Sequence, residues 1–427
     1  ALWSTSGSWL VSQENFLKDS KTLSNLRLRA SYGLQGNIDK NTSPFVMGRY
    51  SNTTILPGQT EQTISVESPP NDKLRWEKTT NTNLGMDLGL FNNRISIVTD
   101  FYGRKSTDLI GLRAVPFENG FEYSNMNWAQ VSNKGYEITL STRNIDRPNF
   151  KWNTSINFSH NKSNVDRIEV RDTDLLPSRE GRPVNAVFGL KTNGIDENGY
   201  PLFVNKNGET VNTQTFFKLY DPYADFFPGE LTESSLTPAE YRDLFVYLGD
   251  RDPKFTGGIT NTIQVHNFDF TVAAAFNLKQ TVVKTPPYNG TEVDRGQNYS
   301  TDILNAWSPT NTSSNLPGIV GKDSGTGDSW MAYQWFSSGT PLDWNKYLDT
   351  WVSEMSYMRL SSMRLGYTFP KAFTDHINIQ SIRLSVEARN LFVISSDFKG
   401  YFDPEPYGNI YAQAVPKSFT IGCNVTF

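Results

Sequence analysis

The chain closes on KSFTIGCNVTF, Lys417 to Phe427, in which Phe419, Ile421, Cys423, Val425 and Phe427 alternate without a miss with Thr420, Gly422, Asn424 and Thr426. A period of two places the two sets of side chains on opposite faces of a β-strand. The same alternation recurs upstream, in pairs of segments. Leu26, Leu28, Ala30 and Tyr32 alternate with Arg27, Arg29, Ser31 and Gly33. Leu84 to Leu90 leads through a short polar turn to Ile95, Ile97, Thr99 and Phe101. Tyr136, Ile138 and Leu140 lead to Phe150, Trp152, Thr154, Ile156 and Phe158. Phe255 to Val265 turns into Phe268 to Leu278, and Met363 to Phe369 leads to Ile382, Leu384, Val386 and Ala388.

The connections between these segments limit the fold further. Asn92-Asn93, His266-Asn267 and Arg143 to Asn149 are turns of a few residues, whereas 37–80, 106–127, 163–252, 281–354 and 395–414 are long and polar. Short and long alternate strictly. A sandwich has short turns at both ends, but a transmembrane barrel has short turns at one rim and long loops at the other. The pattern therefore predicts an all-β, antiparallel transmembrane barrel with long extracellular loops and Phe427 at the periplasmic rim. Roughly eleven strands can be counted, where complete bacterial barrels have an even number. With charged lumen positions such as Arg383, Glu387 and Arg389, the expectation is the C-terminal portion, about eleven strands, of a plugged barrel of roughly twenty-two. Residues 1–427 are read as that single portion, with the plug and the N-terminal strands expected elsewhere.

Composition fits this expectation. Aromatics make up 13% of the 427 residues while all apolar residues reach only 37%, and mean hydropathy is −0.49. A polar lumen lowers hydropathy while aromatic girdles keep the ring content high. No apolar run of about eighteen residues suggests a membrane helix. The net charge of −4, dispersed along the chain, argues against a nucleic-acid partner. The single cysteine, Cys423, excludes an internal disulfide framework.

Catalytic chemistry finds no foothold. His160, His266 and His376 are scattered, no HExxH or GxSxG motif occurs, and neither a metal nor a cofactor is expected. The pairs Asp172/Asp174 and Asp250/Asp252 lack calcium-loop spacing and read as solvated loop carboxylates. Asn-x-Ser/Thr triplets at Asn153, Asn157 and Asn424 fall on the polar face of predicted strands, so they read as chance. Thr237-Pro-Ala-Glu240 is a helix start, with a capping threonine, proline at the first position and glutamate three after the cap. It predicts a short helix over AEYRDLFVYL.

The ligand candidates are loop aromatics. Trp330, Tyr333, Trp335, Phe336 and Trp344 follow a Gly/Ser/Asp-rich stretch, and Tyr401, Phe402 and Tyr407 form another group, as do Tyr220, Tyr223, Phe226 and Phe227. Aromatic faces stack on the flat apolar faces of sugar rings, but the favoured reading of these residues is that they pack the loops together or dock the partner lid. Cys423 reads as a lipid-facing packing residue.

Several longer stretches, in order, are similar to one family: LSNLRLRASYGLQGN, LRWEKTTNTNLGMDLGLFNNRISIVTDFYGRKSTDLI, NKGYEITLSTRN, GIDENGYPLFVNKNGE, GDRDPKFTGGITNT and SYMRLSSMRLGYTFPKAF. They resemble the C-terminal barrel portion of SusC/RagA-type TonB-dependent outer-membrane transporters of Bacteroidetes. The resemblance implies import of oligosaccharides or peptides, a SusD-like lipoprotein as lid, and energy from TonB–ExbB–ExbD through the missing N-terminal part. It also implies that Phe419, Ile421, Val425 and Phe427 form the terminal strand read by the assembly machinery. Two other readings stay open: a soluble or surface-attached β-rich glycan-binding protein, and a passive porin. Detergent dependence separates the first from a barrel embedded in outer-membrane lipid, and an upstream plug and TonB box separate the second.

Overall fold

A computed structural model describes residues 2–40, 42–220, 233–288, 296, 298–319, 342, 344–396, 403–406 and 413–427. Its main feature is one antiparallel sheet of twelve strands, eleven of which follow one another in chain order. These eleven are β1 (Trp3–Leu10), β2 (Leu23–Asn37), β3 (Glu77–Leu90), β4 (Ile95–Ala114), β5 (Tyr123–Arg147), β6 (Phe150–Arg167), β7 (Phe255–Val265), β8 (Phe268–Val283), β9 (Val352–Thr368), β10 (Ser381–Arg389) and β11 (Ser418–Thr426). The twelfth, Val393–Ser395, pairs with the upper part of β9 through Tyr357, Met358 and Arg359. Among the described residues β1 pairs only with β2, and β11 only with β10.

The register turns the period-two pattern into two continuous faces. Directly opposed residues run Trp9, Leu28, Met86, Thr99, Ile138, Phe158, Gly257, Phe276 and Met358 across β1 to β9. A second line runs Trp152, Ile263, Phe270, Leu365, Val386 and Ile421 across β6 to β11. The other parity gives Arg29, Gly85, Asp100, Glu137, Ser159, Thr256, Asn277 and Tyr357. A one-residue slip in any strand would exchange its apolar and polar sets, so the faces themselves fix the register.

Aromatic rings frame the apolar face above and below. The upper band contains Trp3 against Tyr32 at 5.5 Å, Phe101 against Tyr136 at 6.1 Å, and Phe158 against Phe255 at 5.3 Å. The lower band contains Phe268 against Tyr367 at 4.5 Å and Tyr367 against Phe369 at 5.1 Å. Phe150 and Phe158 bracket the aliphatic zone on β6. At about 3.4 Å per residue they are about 27 Å apart along the strand. A tilt of about 40° brings that to about 20 Å of height, comparable to the apolar band of an outer-membrane barrel.

The turns 91–94, 148–149 and 266–267 lie at one rim of the sheet with two twelve-residue connections, 11–22 and 369–380, whereas 38–76, 168–254, 284–351 and 390–417 all leave the other rim, together with the eight-residue 115–122. Asn92 and Asn93 turn the β3–β4 hairpin with φ of 56° and 57°, a left-handed conformation that asparagine tolerates. The long connections hold more order than the sequence suggested. The stretch 106–127, expected as a loop, is mostly strand: β4 runs to Ala114 and β5 starts at Tyr123. Above the upper aromatic band both faces are wet, so the apolar alternation disappears while the backbone ladder continues. A bulge at Asp108, φ 56°, and another at Lys279, φ 58°, interrupt β4 and β8 above the upper aromatic band. The stretch 37–80 likewise shortens at both ends and carries its own hairpin, Met47–Leu56 with Gln59–Ser68.

The predicted helix is also corrected. It spans Pro238–Leu244, and Phe245–Asp250 continues as a strand paired with Ala186–Leu190. Alternating Phe245, Tyr247 and Gly249 suit a ladder better than a helix, and the neighbouring strand supplies the bonds.

Candidate functional site

Two regions could meet a ligand: the polar face of the sheet and the unit built from the long connections. On the polar face, Arg29 donates Nη1 and Nη2 to the two carboxylate oxygens of Asp100 at 3.1 and 3.0 Å, and Nε to Asp87 Oδ1 at 3.1 Å. Gly85 lies beneath this guanidinium, where a Cβ would sit 2.7 Å from Arg29 Cζ. Near the lower rim Arg383 Nη2 donates to Asp269 Oδ2 at 2.7 Å. A Cβ on Gly366 would lie 2.5 Å from that Nη2. Both clusters thus rest on a glycine that leaves room for the ion pair. Such half-exposed pairs each stabilise by only about 0–1 kcal/mol; their main consequence is a charged, wettable wall.

A third cluster ties a long connection to this wall. Arg359, 5% exposed, is held by Asp403 and by Glu405 Oε2 at 3.1 Å. Asp403 also accepts from the backbone N–H of Glu405 at 3.0 Å and of Val415 at 3.3 Å. The connection that follows β10 is therefore pinned against β9.

The unit above the upper rim has its own core of Leu190, Phe203, Phe216, Phe217, Leu219, Tyr241, Phe245, Trp344, Leu348 and Trp351. Phe203 stacks on Phe216 at 4.4 Å and meets Trp344 edge-on at 5.7 Å. The indole of Trp351 donates to Asn345 O at 2.6 Å. The helix Pro238–Leu244 packs Tyr241 into this core behind a complete capping box: Thr237 Oγ1 accepts from Glu240 N, and Glu240 Oε2 from Thr237 N. Lys218 Nζ, 2.8 Å from Glu240 Oε1, together with those Thr237 bonds, pulls the glutamate down to about 2.

Of the aromatics singled out as ligand candidates, Trp344 lies inside this core, 2% exposed, and Tyr220 is exposed. Trp330, Tyr333, Trp335, Phe336, Tyr401, Tyr407, Phe402, Tyr223, Phe226 and Phe227 lie outside the described residues. In the terminal strand Phe419, Ile421, Val425 and Phe427 are all exposed on the apolar face, and Cys423 is exposed opposite Leu384.

Two concave spaces open in this region. A cleft of about 790 Å³ lies where the loop unit meets β6, β8 and β9, lined among others by His160, Lys162, Asp250, Lys254, Lys279 and Glu354. Burial pushes the Asp250 carboxyl up, partly opposed by the N–H of Asp252. A smaller cavity of about 340 Å³ is lined by Thr192, Asn193, Pro317 and Asp349 among others. Asp349 accepts from both the N–H and the hydroxyl of Thr192. Among the described residues no group of three or more His, Cys, Asp or Glu could hold a metal. These cleft residues carry no sequence signature beyond lysines interleaved with aromatics at strand ends.

No protein-family model matches the chain. Curated proteins do. It is 28% identical over 414 residues to TonB-dependent receptor P3 of Formosa agariphila, covering 93% of this chain and 37% of that protein. It is 26% identical to TonB-dependent receptor SusC of Bacteroides thetaiotaomicron, over 98% of this chain and 39% of that protein. The chain is related to the TonB-dependent receptors. It spans about two fifths of the length of these relatives. Among solved structures, the RagAB peptide transporter superposes with a TM-score of 0.73 at 23% identity, covering 100% of this chain and 43% of that one. The RagAB peptide importer in its open-open state gives 0.74 at 22% identity. The fold is thus that of part of a TonB-dependent receptor barrel. These relatives are receptors and transporters rather than enzymes.

Proposed function

We propose that this chain forms the C-terminal part of an outer-membrane barrel that imports oligosaccharides or peptides, driven by TonB–ExbB–ExbD. The coupling acts through a plug and TonB box carried by the rest of the same protein, and a SusD-like lipoprotein closes over the rim of long connections. The observation that carries this reading is the apolar face between two aromatic bands, on a sheet whose four longest connections all leave one rim. In this reading that rim is extracellular, Phe427 lies at the periplasmic rim, and the loop unit and its clefts receive ligand before it enters the charged lumen. Alternating strands without water on one face require lipid, which speaks against a water-soluble binding protein.

The test uses cells that carry the full-length gene. Uptake of the cognate oligosaccharide or peptide should vanish on deleting either the gene or tonB. Uptake that survives loss of TonB would make the barrel a passive porin. Purified protein that stays monodisperse without detergent would remove the membrane reading altogether.

A further inference from the structure

Above Phe255 the wall of strands has a notch. β7 begins there, while its neighbours continue upward, β6 to Arg167 and β8 to Val283. The cleft of about 790 Å³ beneath the loop unit lies at this notch, so residues of either strand face line it. Its charges have two signs and separate origins. Lys162 stands on β6, Lys279 on β8 and Lys254 just before β7, whereas Asp250 and Asp252 end the loop unit and Glu354 stands on β9. Lys279 occupies the bulge with φ 58°, an irregularity of the kind that re-aims a side chain. Among the described residues none of the six forms an ion pair. Asp250 Oδ1 accepts from the N–H of Asp252 at 3.0 Å, and Asp252 Oδ1 from Asn185 Nδ2 at 2.9 Å. One oxygen stays open on each, and Glu354 is exposed. Opposite charges on flexible side chains attract, but the backbone keeps these elements in place. Gly249, φ 151°, rests directly on β8, where a Cβ would meet Thr281 Oγ1.

We infer that this cleft binds short peptides by their charges, with ligand carboxylates at Lys162, Lys254 and Lys279 and ligand ammonium groups at Asp250, Asp252 and Glu354. The inference rests on the import reading above and names peptide as the cargo class. A neutral oligosaccharide would leave both sets of charges unmatched, and an acidic one would leave the carboxylates unmatched. Both rings that line the cleft are already engaged. The Arg182 guanidinium lies over Tyr247 at 4.7 Å, and Phe188 meets that ring edge-on at 6.1 Å. His160 has Tyr136 at 5.4 Å and Phe255 at 5.3 Å. Stacking on a sugar ring is therefore poorly provided for, whereas open charges of both signs are plentiful. The volume lies within the range of about 300–1,000 Å³ common for small-ligand pockets, enough for a peptide of a few residues.

The experiment titrates the full-length receptor, purified in detergent, with tetrapeptides of uncharged residues in four forms: unblocked, amidated at the C-terminus, acetylated at the N-terminus, and blocked at both ends. Each ligand charge removed should weaken binding about fivefold, the upper end for a solvent-exposed ion pair. Blocking both ends should weaken it about 25-fold. Maltotetraose should not compete. Variants should cross with the blocked forms. Lys162→Gln/Lys254→Gln should weaken only peptides with a free carboxylate, and Glu354→Gln or Asp250→Asn only those with a free amine. A merely structural role would shift all four forms alike. Comparing the four forms on the unaltered receptor keeps the test valid should a variant assemble poorly. Equal binding of all forms, or competition by maltotetraose, would overturn the peptide site. TonB-dependent uptake of another cargo without peptide binding would overturn it too and leave the import reading standing. The crossed pattern with uptake that survives loss of TonB would support the site and overturn energised import alone.

Discussion

The sheet and the unit of long connections are built from the same residue types with opposite sidedness. In the sheet, large apolar side chains point away from the protein: Ile421 is 82% exposed and Phe419 71%. In the loop unit they point inward: Phe203 and Leu348 are fully buried. The first arrangement is stable only where lipid replaces water on one face, because exposed apolar area costs about 25 cal/mol per Å² in water. The second gains its stability in water, by burying Phe203, Phe217 and Trp344 against one another. One chain therefore folds under two solvents, and the upper aromatic band marks the boundary between them.

That contrast can be broken from either side. The largest effect is expected in the loop core. Trp344→Ala should destabilise the loop unit by about 3–5 kcal/mol. Hydrogen exchange should show it, with faster exchange across 186–250 and unchanged protection in β5 and β6. If protection fell equally everywhere, the two regions would be one cooperative unit. Next comes the centre of the apolar face: Ile138→Arg should cost about 2–4 kcal/mol. Heat-modifiable migration on gels should report lost barrel assembly, whereas Thr139→Arg on the polar face of the same strand should assemble normally.

Smaller effects sharpen the account of the loop unit. Thr237→Ala removes one side of the capping box and should cost about 1 kcal/mol, read as lowered thermal stability of the loop unit alone. The smallest concerns acid. Glu240 is lowered from an ordinary value near 4.5 to about 2. A depressed carboxylate contributes stability above its unfolded value and loses it as pH falls through the folded one. The cap contribution should therefore be constant above about pH 5 and disappear between about 4.5 and 2. In Glu240→Gln this acid dependence should be absent.

The sheet was legible because each wall strand repeats one rule, and the rule survives where only lipid and lumen decide the residue. Even the turn and strand order followed, since neighbours in sequence are neighbours in the sheet. β1 was harder to read: Thr5, Ser6, Gly7 and Ser8 give it little apolar contrast. The extensions of β4 and β5 beyond the apolar zone were hidden for the same reason. The loop core was not legible at all. Leu190, Phe203, Phe217 and Trp344 come from distant stretches with no shared period, so nothing local announces that they meet. Trp344 illustrates the difficulty: an aromatic in a polar loop reads alike whether it stacks on a ligand or on Phe203. The helix after Thr237 had a sharp beginning, from its capping box, but an ill-defined end, because Phe245–Asp250 takes its hydrogen bonds from a strand remote in sequence.

The central claim is that alternate residues of each wall strand face lipid and water. Single cysteines placed from Gly135 to Ser141 in the full-length protein, spin-labelled and reconstituted in bilayers, test it residue by residue. Positions 136, 138 and 140 should be relaxed by oxygen, which partitions into lipid, and positions 137, 139 and 141 by a water-soluble nickel chelate. Accessibility without a period of two, or with the opposite phase, would contradict the account.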